Sequence, residues 1–110
     1  MRTRVVVYPT IHRVTTANTR GLPAGNLAAA GRLLGEARER GAVVAALPEN
    51  FAFMGINEAD KLTVAEDDAG GPIQSEVSGL ARALGLWIVA GTIPLRVPGA
   101  PRVAAACLVY

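Results

Sequence analysis

The sequence is short of the residues that build disulfides, metal clusters and nucleic-acid faces. It has one cysteine, one histidine and one lysine in 110 residues. With Cys107 alone no internal disulfide can form, and a reducing, cytoplasmic setting is the expectation. Aromatic residues make up only 5% and do not interleave with the basic ones, which removes base stacking. Ten of the eleven basic residues are arginines, scattered along the chain, and the net charge is only +2. Nothing resembles a nucleic-acid patch. No apolar run approaches the ~20 residues that span a bilayer. The apolar residues 5–8 are too few for a signal-peptide core and lack a small-residue cleavage site. Nucleic acid and membrane are thus not expected as partners, nor is a metal or a cofactor.

What remains is a hydrophobic chain: 51% apolar, 18% charged, mean hydropathy +0.32. That is one folded domain rather than a disordered tail. Residues 4–8 read as a first strand, stopped by Pro9. Residues 10–25 are polar, broken by Gly21, Pro23 and Gly25, and show neither helical nor strand period. Asn26 is placed as the N-cap of a helix. Its apolar stripe is Leu27, Ala30, Leu34 and Ala37, and Gly41 stops it. Residues 43–47 form a continuous apolar run, the pattern of a strand buried on both faces. Residues 57–62 suit a turn or two of helix, and Glu66-Asp67-Asp68 reads as a solvated acidic loop. Gly70-Gly71-Pro72 opens a second long helix, with Ile73, Val77, Leu80, Ala81 and Leu84 on one face and Gly85 as its stop. Residues 86–92 give a third strand. After a turn at Pro98-Gly99, residues 102–110 return as a fourth, antiparallel to the third. The order is β-α-β-α-β-β, in the α/β class. Two long helices on one face would leave the other face of the sheet bare, which marks an interface or an aggregation hazard.

One position stands out for chemistry. Pro48 cannot join a sheet ladder, so the strand ends there, and Glu49 follows at once. Open α/β sheets place their ligands at the carboxyl ends of strands. An acid held there beside Phe51, Phe53 and Met54 is poorly solvated, and desolvation raises a carboxylate's pKa toward that of a general base. The plain alternative is a loop acid in water.

The stretch Leu47-Pro48-Glu49-Asn50-Phe51-Ala52-Phe53-Met54-Gly55 resembles the first motif of the nitrilase superfamily of carbon–nitrogen hydrolases, in the amidase-like branch with omega-amidase and deaminated glutathione amidase. Residues 80–94, from Leu80-Ala81-Arg82 to Gly91-Thr92-Ile93-Pro94, are similar to the helix and strand that follow that motif. Asn26-Leu27-Ala28-Ala29-Ala30 resembles the start of the family's first helix, and residues 105–110 its next strand. Residues 1–25 match poorly. The family's first strand carries a Gln-Met pair where this chain reads Val7-Tyr8-Pro9-Thr10. The resemblance implies the N-terminal half of a four-layer α-β-β-α sandwich, with residues 1–110 as part of a hydrolase domain. In the family a cysteine attacks an amide or nitrile carbon, a glutamate is the general base and a lysine stabilises the oxyanion. Only the glutamate carries over, to Glu49. Phe51, Phe53 and Met54 would line the pocket for a small amide, unless they are core.

The other two members have no match. Lys61 stands upstream of the second helix, the wrong place, and reads as a surface lysine. Cys107 has a mid-strand context, unlike the family's nucleophile motif, and reads as a small hydrophobe. No spacing pairs His12 with it. The expectation is a truncated hydrolase, inactive alone, joined by self-association or a missing C-terminal half. The alternatives are a binding module, holding an anion on the free N–H groups at Gly70-Gly71-Pro72, or an interaction module pairing through the bare sheet face.

Overall fold

The order of elements follows the hydrophobic periods, and their handedness decides where the core sits. A computed structural model describes residues 5–7, 23–53 and 60–110. Strand β1 is Val5–Val7, helix α1 Pro23–Glu39, strand β2 Val44–Leu47 and the short helix α2 Lys61–Val64. Helix α3 is Pro72–Leu84, strand β3 Trp87–Arg96 and strand β4 Val103–Val109. They form one sheet in the order β1-β2-β3-β4. The first two pairings are parallel, with Val6 opposite Ala45 and Ala45 opposite Ile88. The last is an antiparallel hairpin, so the α/β arrangement matches the expectation. A right-handed crossover repeated in one direction puts successive helices on the same face. Accordingly α1 and α3 lie side by side on that face, with Gly31 facing Leu80.

The core lies between those helices and the sheet. Ala30, Leu34 and Ala37 of α1 and Ile73 and Val77 of α3 meet Ala45, Leu47, Ile88, Ala90 and Ile93. Both helices stop at glycines in left-handed backbone, Gly41 at φ 87° and Gly85 at φ 59°, where a Cβ would be strained. Burial along β2 alternates instead of being continuous. The expectation of a strand covered on both faces is therefore corrected, because both long helices share one side. The other side carries Val44, Ala46, Trp87, Val89 and Val109, in register across three strands. Trp87 is 61% and Val109 60% exposed.

Three local expectations also change. Helix α1 begins at Pro23, so Asn26 lies inside the helix and is not its N-cap. Proline suits a helix start, since the first N–H groups have no partner within the helix. Strand β3 runs on to Arg96 through Pro94. The Pro94 carbonyl accepts from Glu66 N–H, on the side that β2 has already vacated, so the absent proline N–H costs no ladder bond. Glu66 itself is 5% exposed, not a solvated loop acid. No described helix is long and apolar enough to cross a membrane.

Candidate active site

The turn after β2 is built from residues that tolerate unusual backbone. Asn50 has φ 53°, the one positive value outside glycine among the described residues. Asparagine visits this region more readily than most L residues, because its short polar side chain can bond locally. Phe53 N–H closes the turn on the Asn50 carbonyl at 3.3 Å.

Strand β3 receives this turn at a bulge. Between the pairs Ala90–Leu108 and Ile93–Ala106 it holds one residue more than β4 does, and such a bulge re-aims the side chains at its site. A Cβ at Gly91 would collide with the carbonyl oxygens of Leu47 and Pro48, so glycine is required for the two chains to approach. Thr92 Oγ1 accepts from Asn50 N–H at 3.0 Å. From the helix side Asn26, 2% exposed, donates through Nδ2 to the Ala52 carbonyl at 2.9 Å. Its Oδ1 has no hydrogen-bond partner among the described residues.

Glu49 sits at the crest of this turn, at the carboxyl end of β2, and is exposed. The expected screening by aromatic rings is corrected. Phe51 and Phe53 are both buried, and Phe51 belongs to the core cluster with Leu34 and Ile73. Their apolar rings gain more by leaving water than by flanking a carboxylate. Met54 and His12 lie outside the described residues. Lys61 opens α2. Cys107 is exposed in mid-β4, across from the bulge, on the side away from the described helices, which corrects its reading as a small hydrophobe. Among the described residues no three His, Cys, Asp or Glu side chains are grouped to hold a metal.

A second polar cluster lies where α3 begins. Glu66 Oε2 accepts Ile73 N–H at 2.5 Å, and Oε1 accepts Gln74 N–H at 3.0 Å. A carboxylate at a helix N-terminus satisfies orphan donors and complements the dipole. The Gly70-Gly71-Pro72 opening therefore offers no free anion site: the chain's own Glu66 fills it, and a Cβ at Gly71 would strike that side chain. Leu27, Val64, Glu66, Ile73 and Arg96 are among the residues lining an adjacent cavity of about 500 Å³; Glu49 is not. Sequence reasoning missed Asn26, Gly91, Thr92 and Glu66 in these roles. Only the isolated glycine in an apolar strand signalled a bulge.

The family model for carbon–nitrogen hydrolases matches residues 13–109. The chain belongs to that family. Among similar solved structures is the NitFhit protein of C. elegans, with TM-score 0.69 and 22% identity, over 81% of this chain and 22% of that one. A carbon–nitrogen hydrolase superfamily protein of Xanthomonas campestris, solved with an arsenic adduct in its active site, is 30% identical, with TM-score 0.61, over 82% of this chain and 35% of that one. The amidase from Nesterenkonia sp. AN1, solved as a double mutant in complex with acrylamide, gives TM-score 0.54 and 23% identity over 79% and 30%. The fold of this carbon–nitrogen hydrolase chain is part of the nitrilase-like α-β-β-α sandwich, and it spans about a third or less of these relatives.

Proposed function

We propose that this chain is the N-terminal portion of an amide-hydrolysing enzyme and supplies its general base, Glu49. The observation that carries the reading is the placement of that carboxylate. It is exposed, and so reachable, on a tightly held turn at the carboxyl end of β2. In this reading a cysteine from polypeptide outside these residues attacks the carbonyl carbon of a small amide. Its proton passes to the Glu49 carboxylate, and the carbonyl oxygen, now negative, is met by a lysine from the same outside segment. Collapse breaks the carbon–nitrogen bond, and Glu49 returns the proton to the departing ammonia. Water then cleaves the thioester with Glu49 again as base. The sheet face that no described helix covers is covered by a second sheet, completing the sandwich, in a reducing compartment that keeps the thiol free. Without those parts the chain is inactive.

The test is ammonia release from short ω-amides. It is made with the 110-residue chain alone and with the chain joined to a segment bearing the lysine and cysteine. The expected result is no turnover alone, and turnover when joined that falls roughly 10²–10⁴-fold in Glu49→Gln, the usual weight of a general base. Turnover by the joined protein that survives Glu49→Gln would overturn the base role.

A further inference from the structure

Three unrelated oddities of this chain meet at one turn. The one non-glycine residue with positive φ among those described is Asn50, directly after Glu49. The sheet's bulge opens at Gly91-Thr92, where the absent Cβ admits the Leu47 and Pro48 carbonyls and the hydroxyl takes Asn50 N–H at 3.0 Å. The buried Asn26 of α1 gives its amide to Ala52 O at 2.9 Å. Strained backbone persists only where its surroundings over-determine it. A bulge, a buried amide and a left-handed residue that served packing alone would have no reason to converge. From this we infer that Asn26, Gly91 and Thr92 form a seat that fixes the Glu49 turn, and act as positioning residues for the carboxylate. The inference rests on the reading of Glu49 as the base.

The geometry divides the work. Gly91 sets how closely the turn approaches β3. Thr92 holds the backbone N–H that follows Glu49, which fixes the direction in which the Glu49 Cβ leaves the chain. Asn26 ties the outgoing limb, at Ala52, to the first turn of α1. The turn is thus held from the sheet and from the helix layer at once. Neither the Asn26 nor the Thr92 side chain touches a reacting atom in this scheme, and Gly91 has none.

The test uses the isotope-labelled 110-residue chain without substrate and reads Asn50 amide exchange and the Glu49 side-chain carboxyl ¹³C resonance. Thr92→Val removes the acceptor and keeps the shape. It is expected to speed Asn50 exchange about tenfold, the value of one hydrogen bond, and to move the carboxyl resonance. Exchange at Leu95, elsewhere on β3, stays unchanged, and Thr92→Ser restores both readouts. Asn26→Ala and Gly91→Ala move the same two signals; if either fails to fold, the threonine pair still decides. Unchanged Asn50 exchange and an unmoved carboxyl signal in Thr92→Val would overturn the seat. Because no turnover is measured, a failed Glu49→Gln assay would remove the base role and leave these results standing.

Discussion

Glu66 is one of three buried polar or charged residues among those described, with Asn26 and Gln74, and burying a carboxylate is costly unless donors surround it. Two backbone N–H groups of α3 meet that need. Glu66→Gln keeps the shape but turns one of the two accepting oxygens into an NH2 donor and removes the charge that favours the helix dipole. It should lower unfolding free energy by about 1–3 kcal/mol, read from the urea midpoint. Tyr110 supplies a second prediction at this scale. Burial, with the negative charge of Glu66 adding to it, pushes its phenol above the ordinary value of 10.0. The native state thus favours the protonated phenol. The associated stability is complete below the unfolded value and is lost as pH rises past 10 and through the native value. Ultraviolet titration of the native chain, compared with Tyr110→Phe, should show a phenolate that forms later than in denaturant.

At the scale of elements, much was legible because it obeys short-range rules. The apolar stripes of α1 and α3 marked the faces that became buried. Gly41 and Gly85 marked their ends, and Pro48 marked the end of β2 and so the place of Glu49. The antiparallel return of β4 followed from the turn residues Pro98 and Gly99. The rest depended on partners distant in sequence. Asn50 meets Thr92 across 42 positions and Asn26 meets Ala52 across 26, so no window around Glu49 contains its supports. Asn26 has the chemistry of an N-cap, yet Pro23 starts the helix a turn earlier and leaves the amide free to reach across. An acidic run reads as solvated until the fold brings Glu66 to a helix N-terminus. A continuous apolar run cannot say whether one face of β2 is covered or two.

At the scale of the molecule, the sheet face that no described helix covers governs behaviour in solution. Trp87 and Val109 stand exposed there beside Val44, Ala46 and Val89. Contiguous apolar surface of this kind drives association. The 110-residue chain is expected to sediment as more than a monomer at high concentration and to bind a hydrophobic dye. Val109→Lys, at an exposed site on an edge strand, should weaken both with little loss of fold stability; a monomeric parent chain that binds no dye would refute this. The pairing of the strands also has a consequence for how the molecule acquires its shape. Arg96 and Val103 meet across a single tight turn, whereas Val7 and Ala46 meet only after a third of the chain has been looped out. By the logarithmic growth of loop-closure entropy, the second closure costs roughly 1.5 kcal/mol more. The hairpin should therefore nucleate folding, carrying the bulge with it. The landing site for the Glu49 turn is in place before the parallel strands arrive, so the carboxylate docks onto a finished template.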